Sequence, residues 1–522
     1  MLTIIKEKYL HFLSWMVLIL SVIATYANLT EAGFGLFLNS DTLGIPDLYN
    51  DVASGSGKIK DWVIAASTQV FPDALLYTLI EKIFQLGIIK TAFVYGLIQV
   101  IIVTALMIRL YTKLVVDDLK KHAWLIPVFM SMFFLESFYF SKDAFLSFLP
   151  TSYTYHFGVL INMLIVLLLY FSSYSNTIKY LFIFLFSIIA GFSDKLFLVL
   201  LIAPLFLTLL VFIKKDNLKD AFFVIASIIA GTVIGFYIYG YIKVNKLATF
   251  QEVRMFFTKK DIILSINMFY EQMVTYIKIG GFRSFQLIFT FSAIVGGVVY
   301  YFKNRKSGDF KQLFLVVFFV FFSVCTICAP FVNGSYTGYD TLRYNIAPFY
   351  FASIIFAFFI GALFQKKNNV TIHKIVSLIT IMLFLAITIV KLDLKTLNNY
   401  LNYYPEYIRE IDSLALKYKF KKGIASYWGS RPVTLFSHAG LNVSSVYPEG
   451  NMNELGTNIN RYYEGNYNFI IFDDSMISQE IKKRFKIKDT LITKYNRILI
   501  VGDFKYIKGE YFPTNIEDQK SN

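Results

Sequence analysis

Leu196-Phe-Leu-Val-Leu-Leu-Ile-Ala-Pro-Leu-Phe-Leu-Thr-Leu-Leu-Val-Phe-Ile213 carries no charged side chain from end to end. A helix rises about 1.5 Å per residue and needs about 20 apolar residues to cross the hydrocarbon core of a bilayer. Leu181–Ala190 and Leu313–Val324 are equally free of charge. Charged residues make up 16% of the 522-residue chain and hydrophobic ones 56%. A soluble domain carries about 25% charged residues. The composition therefore excludes an ordinary soluble protein and predicts a polytopic α-helical membrane protein. About eleven transmembrane helices are expected, near 9–27, 90–110, 124–140, 156–173, 178–193, 196–213, 221–242, 284–302, 312–332, 344–364 and 375–392. The first follows Lys6 and Lys8 with no convincing small-x-small cleavage pattern, so it reads as an uncleaved span. The apolar stretch Ala74–Leu86 contains Glu81 and Lys82 and reads as a further, interfacial helix.

Lysine and arginine in short loops set the orientation of such a chain. With the N-terminus inside, the inside loops hold Arg109, Lys113, Lys120 and Lys121, then Lys179, then Lys214, Lys215 and Lys219. Lys303, Arg305, Lys306 and Lys311 follow, and then Lys366, Lys367 and Lys374. The short outside loops hold isolated charges at Lys142, Lys195 and Arg343. The net charge of +15 thus reads as cytoplasmic loops meeting anionic lipid, not as a nucleic-acid surface. Counts of 55 Phe and 36 Tyr suit lipid-facing helices and interfacial belts. The expected location is the bacterial cytoplasmic membrane, multi-pass, with the N-terminus cytoplasmic and the C-terminal domain extracytoplasmic.

Residues 1–392 then form the transmembrane domain, with long outer loops at about 28–89 and 243–283. Residues 393–522 form a small extracytoplasmic α/β domain. In this tail Phe469–Phe472, followed by Asp473 and Asp474, reads as a buried parallel strand. Leu491–Ile492 and Arg497–Val501 read as paired strands around a turn at 494–496. Ile424–Trp428 and Val433–Phe436 read as strand-like runs flanking a turn at Gly429–Pro432. Cys325 and Cys328 are the only cysteines. They sit in an apolar run without a second pair or a flanking His, and read as small buried apolar side chains.

The first outer loop holds the chemistry-bearing residues. Asn39-Ser-Asp-Thr-Leu-Gly-Ile-Pro-Asp-Leu-Tyr-Asn-Asp51 is followed by Asp61-Trp62 and by Phe71-Pro-Asp-Ala-Leu-Leu-Tyr77. Asp47 and Asp51, four apart, would share one face of a helix. Carboxylates beside a membrane surface can act as a general base or hold a divalent cation. Asp41 can equally serve as a helix N-cap with Pro46 in the first turn.

This arrangement resembles the GT-C superfamily of membrane glycosyltransferases, which includes protein O-mannosyltransferases, the aminoarabinose transferase of lipid A and oligosaccharyltransferases. Their first outer loop carries an acid soon after the first span, then a Tyr, a Trp and a Pro-Pro-Leu-Tyr-like segment. Asp41 stands where the first acid would be, and Phe71–Tyr77 resembles the later segment. Thr42 replaces the second acid, Asp73 stands where a second Pro is common, and no Trp-Trp-Asp signature occurs. The resemblance implies an inverting enzyme that moves a sugar from a polyprenyl-phosphate donor to an extracytoplasmic glycan, lipid or protein, with Asp41 as the catalytic base. It implies binding roles for Asp47, Asp61, Trp62, Asp73, His156, Asp194, Lys195, Arg254, Arg283, Arg343 and Tyr344. The metal requirement is left open, since the acids permit a divalent cation but no ligand spacing demands one. On their own, Arg343 can be a headgroup-reaching arginine, His156 an interfacial histidine, and Asp194 with Lys195 a local pair in a turn. A flippase or transporter of lipid-linked glycans, and a glycan polymerase or ligase, are the rival readings.

Overall fold

In the computed structural model the described residues are 7–65, 67–139, 148–152, 157–212, 218–250, 258–306, 308–332, 334, 336, 345–366, 370–472, 484–508 and 513–515. Chain contacts divide them into two compact units. The first gathers residues 1–30, 69–239 and 254–401, the second residues 31–68, 240–253 and 402–522.

Unit 1 is helical. Each of the eleven apolar stretches contains helix. Among the described residues seven helices are long and apolar enough to cross a membrane: Glu7–Ala27, Ile88–Leu114, Asn176–Ser193, Lys219–Val244, Arg283–Asn304, Phe310–Val332 and Ile346–Gln365. The others fall short for local reasons. Leu125–Tyr139 ends against residues outside the described set, Val159–Tyr170 has 12 residues, Leu198–Phe212 begins as a π-helical turn at Leu198–Ile202, and the last expected span, in the helix ending at Val390, breaks before the next helix starts at Leu394. Helix is the form that apolar runs must take in lipid, because it satisfies every backbone N–H and C=O within one segment.

The segment expected at Ala74–Leu86 is a helix at Leu75–Phe84. It exposes Leu75, Leu79 and Ile83, one above another at i, i+4 and i+8, and buries Tyr77 and Ile80. Large apolar side chains also stand exposed along Lys219–Val244 and Arg283–Asn304, among them Phe222, Val233, Val295 and Val299. Cys328 is exposed on its helix and Cys325 half-buried, so they line an outer face and not the core. Inside unit 1, aromatic rings fill the core. Phe133 lies 4.1 Å from Phe349, and Phe289 lies 3.9 Å from Phe356, centroid to centroid.

Two helices approach so closely that only glycine fits between them. A Cβ on Gly231 would lie 2.4 Å from the Phe184 carbonyl oxygen, and one on Gly235 2.5 Å from that of Ile188. This is the small-xxx-small spacing that lets membrane helices touch backbone to backbone.

Unit 2 is a mixed sheet with helices. The strands are β1 (Val63–Ile64), β2 (Thr249–Phe250), β3 (Lys422–Ala425), β4 (Asn442–Ser445), β5 (Tyr467–Phe472), β6 (Ile487–Ile492), β7 (Arg497–Tyr506) and β8 (Pro513–Asn515). The main sheet runs β4-β3-β5-β7-β6, with β8 on β7. β3 pairs in parallel with both β4 and β5, while β7 is antiparallel to β5 and β6. β5 is the buried parallel strand expected at Phe469–Phe472. β6 and β7 are the pair expected around 494–496, closed by Thr493 N–H to the Asn496 carbonyl at 2.9 Å.

The run 427–436 differs from the sequence reading. It is a helix, Tyr427–Phe436, with Pro432 inside it. Parallel strands need a crossover connection, and this helix supplies it between β3 and β4. The local Gly and Pro turn signal yields to that tertiary demand. The strand period of two sorts the core. Phe469 and Ile471 face a layer that includes Ile408, Ile411 and Ala415 of the helix Glu406–Tyr418, while Ile470 and Phe472 face Tyr462, Tyr467 and Phe504.

Replacing Gly235 by Leu drives a side chain into the Ile188 backbone. A strong loss of thermal stability is expected for the detergent-purified protein, whereas Gly240→Leu, where a Cβ meets nothing within 4 Å, leaves the melting temperature near wild type.

Candidate functional site

The acids of the first loop are built into unit 2. The helix Gly44–Ala53 carries Asp47 and Asp51 on one face, as the four-residue spacing requires. One guanidinium meets both. Arg461 Nη1 stands 2.9 Å from Asp47 Oδ1, and Arg461 Nη2 3.2 Å from Asp51 Oδ1. Arg431 Nε lies 3.3 Å from Asp47 Oδ2. Arg431 also donates to the backbone carbonyls of Ser40 and Gly456. Asp47, Asp51 and Arg431 are all buried.

Asp51 is further bound by three neutral donors: Trp62 Nε1 at 2.7 Å, Asn458 Nδ2 at 2.7 Å and Ser56 Oγ at 2.9 Å. Burial alone would raise the Asp51 carboxyl. The Asn458 hydrogen bond, the Arg461 charge and the Trp62 and Ser56 hydrogen bonds outweigh it and hold the group below the usual carboxylate value. Arg461 also stacks on the Trp62 ring, 5.3 Å to the centroid. Trp62 is 2% exposed, so its face is spent on Arg461. Asp61 is half-exposed, and its backbone carbonyl accepts from Ile459 N–H at 2.8 Å.

Lys422 holds the segment that carries Arg461. Its ammonium donates to the carbonyls of Arg461 and Glu464 and lies 4.4 Å above the Tyr467 ring. Burial pulls this lysine down to about 8, with the Glu464 charge pulling the other way. The recess between Asp47, Arg431, Ser444 and Thr457 has about 10 Å³ of free space, room for about one water. It is a packed joint and does not admit a sugar.

Asp41 is different. It is half-exposed, and its Oδ1 accepts from the Tyr427 hydroxyl at 2.7 Å. Its side chain is not the helix cap: the N-cap of Gly44–Ala53 is Leu43, with no side-chain bond. Ser40 Oγ donates to the Tyr427 carbonyl at 2.5 Å, so Tyr427 is tied to both residues. Burial, with Asp41 alongside, keeps the Tyr427 phenol protonated well above the usual tyrosine value.

The remaining candidates lie in unit 1 or outside the described residues. Asp73 is 3% exposed, with the Tyr95 hydroxyl 2.5 Å from its Oδ1 and 2.6 Å from Gln99 Oε1. Gly158, N-cap of the helix Val159–Tyr170, makes room for it: a Cβ there would lie 2.4 Å from Asp73 Oδ1. Ser193 ties the neighbouring turn to this segment, with Phe71 N–H donating to Ser193 Oγ at 3.0 Å. Asp194 beside it is buried and accepts from Leu196 N–H at 2.9 Å. Lys195 stands over Tyr239 at 5.1 Å, and Arg283 over Tyr276 at 5.0 Å. His156, Arg254, Arg343, Tyr344 and the Asp473–Asp474 doublet lie outside the described residues.

Arg431, Arg461 and Tyr427 were not singled out in the sequence. The available signal was chemical: two acids on one helix face need a forked cation, and arginine is scarce in a chain this rich in lysine. Among the described residues no group of three or more His, Cys, Asp or Glu is arranged to hold a metal ion. At Asp47 and Asp51 the fit is poor on chemical grounds, since a divalent cation there would meet two guanidinium groups.

No known family profile matches the chain, and no curated protein does. A crystal structure of the oligosaccharyltransferase of Archaeoglobus fulgidus, in complex with Zn and sulfate, aligns with 93% of this chain and 72% of its own at a TM-score of 0.43 and 10% identity. That likeness is too remote to carry residues or activity across.

Removing one partner of a buried ion pair costs about 3–5 kcal/mol, because the remaining charge is left unpaired. Arg461→Met is expected to destabilise unit 2 by that order, and Arg461→Lys to recover little, since one ammonium cannot span both carboxylates. Limited proteolysis of the full chain, read by mass spectrometry for cuts within 402–472, checks both. The pH dependence follows from Asp51. Its folded value lies below the ordinary 3.8, so its contribution is present above that pH and is lost as pH falls through the folded value. Cuts in the same region should stay constant from about pH 7 to 5 and rise below about pH 4, and Asp51→Asn should flatten the acid limb.

Proposed function

We propose that the chain is a membrane glycosyltransferase of the GT-C type, moving a sugar from a polyprenyl-phosphate donor to an extracytoplasmic acceptor, with Asp41 as the general base. Residues 1–392 form its membrane part, with about eleven spans and the N-terminus inside, and 393–522 its outer domain. The observation that carries the reading is that Asp41 is half-exposed and positioned by the Tyr427 hydroxyl, whereas Asp47 and Asp51 are buried. Asp47 and Asp51 are locked to guanidinium groups and would surrender ion pairs on taking a proton. Asp41 keeps a half-exposed carboxylate, held in place by a neutral phenol. A base needs a fixed position and a lone pair turned to an approaching hydroxyl.

In the proposed reaction Asp41 takes the acceptor hydroxyl proton as that oxygen attacks the anomeric carbon. The lipid phosphate departs from the opposite face, so the anomeric configuration inverts in one displacement. The departing phosphate requires cations, the role assigned to Lys195, Arg254, Arg283 and Arg343, with arginine best suited by its fork. Asp47, Asp51, Arg431 and Arg461 build the rigid seat on which Asp41 stands.

Loss of a general base lowers a rate by about 10²–10⁴. Asp41→Asn is expected to reduce transfer of radiolabelled sugar from the membrane lipid pool by that factor while the protein still inserts and resists proteolysis. Wild-type transfer by this variant would remove Asp41 from the mechanism.

A further inference from the structure

The edge of the sheet beside Asp41 has a second feature that the proton-transfer role does not use. The C-terminal ends of β3 and β4 lead into exposed aromatic residues. Trp428 is 57% exposed and Tyr447 is 48% exposed. Trp62 and Trp124, by contrast, are 2% and 3% exposed. The two exposed rings come from adjacent parallel strands in register. Ala425 pairs with Ser445, and Val446 N–H donates to the Ala425 carbonyl at 2.8 Å. Neighbouring strands lie about 4.8 Å apart, so the first turn of the helix Tyr427–Phe436 and the loop at 446–448 leave the sheet side by side.

Trp428 is held in place. Its ring meets Tyr427 edge to face, centroids 5.1 Å apart at 78°. Tyr427 in turn donates to Asp41 and accepts from Ser40. A rigid, exposed indole therefore stands one residue from the phenol that holds a half-exposed carboxylate. The chain passes from β3 to β4 on one side and later to β5 on the other. The C-terminal end of β3 also borders the crevice between β3 and β5 where strand order reverses, a place where open α/β sheets bind ligands.

We propose that this edge is the acceptor subsite and that its ligand is a carbohydrate. The assignment rests on the glycosyltransferase reading and narrows its acceptor from glycan, lipid or protein to glycan. A pyranose has a flat face of C–H groups and a rim of hydroxyls. The face covers an exposed indole, and the rim offers a hydroxyl to a carboxylate. An acyl chain would use the aromatic surface and strip water from the half-exposed Asp41 carboxylate while offering it no hydrogen bond in return, at a cost. A sugar satisfies both surfaces together.

Binding can be measured without turnover. The probe is a panel of neutral and acidic oligosaccharides, read by saturation-transfer NMR on the full-length protein in nanodiscs. At least one glycan is expected to bind, with saturation strongest on its ring C–H protons. Trp428→Ala should weaken that binding about tenfold or more, the range seen when a central aromatic anchor is truncated. Trp428→Tyr should restore most of it, and Tyr447→Ala should weaken it to a smaller degree. Binding of no glycan in the panel, or binding indifferent to Trp428→Ala, overturns the proposal. So does a Trp428 fluorescence signal, taken as the difference between wild type and Trp428→Phe, that spin-labelled lipid quenches more than aqueous acrylamide does. That result would make Trp428 a membrane-interface anchor. Asp41→Asn separates the two readings. Lost transfer with glycan binding indifferent to Trp428→Ala would sink the subsite alone, while retained transfer would sink the base and leave the binding result standing.

Discussion

Arg461 touches two carboxylates at once, and the second unit is organised around that contact. Asp47 and Asp51 lie one helical turn apart, so a single planar guanidinium spans them. A buried carboxylate is costly unless paired and hydrogen-bonded, and among the described residues Arg461 is the one guanidinium that serves both acids. Arg431 completes the charge balance and, through backbone carbonyls at Ser40 and Gly456, fixes the loops on either side. Lys422 holds the Arg461 segment from behind. The Trp62 indole lies under Arg461 and donates to Asp51. Each of these groups is placed by another member of the set. Replacing a buried ion pair by apolar residues is often neutral in stability, while breaking one is costly, so what this network gives unit 2 is a fixed arrangement of the loop acids.

The two units obey different solvents. In unit 1 apolar side chains are exposed over whole helix faces, while Ser, Thr and Gln are turned inward. Ser21 Oγ donates to the Val17 carbonyl at 2.7 Å, and Gln99 Nε2 donates to the carbonyls of Pro150 and Ser152. That is the inverse of a water-soluble surface and agrees with a hydrocarbon surround. In unit 2 the helix Glu406–Tyr418 buries Ile408, Ile411 and Ala415 and exposes its charged residues, as a helix facing water does.

What could be read from sequence was what local pattern encodes. Apolar runs gave the helices, because hydrocarbon imposes its demand within one segment. Phe469–Phe472 was legible as a strand from its own four residues, and the shared face of Asp47 and Asp51 from their spacing. The partners of those acids were not legible. Arg431 and Arg461 lie 384 and 414 residues from Asp47 in the chain, and no periodicity links such distant positions. The helix Tyr427–Phe436 was hidden for a related reason. Its Gly and Pro carry a turn signal, and only the parallel pairing of β3 with β4, a property of the finished sheet, demands a crossover there. Tyr427 as the partner of Asp41 was hidden with it.

The acidic helix and its arginines stand near opposite ends of the chain, and this has a bearing on biogenesis. A ribosome delivers Asp47 and Asp51 long before it delivers Arg431 and Arg461. During that interval the two acids remain charged, solvated and without their cations. The loop therefore has a waiting period built into it, which ends only once residue 461 has been made. A chain cut short before Arg431 would hold the acids of the loop and none of the order that fixes them.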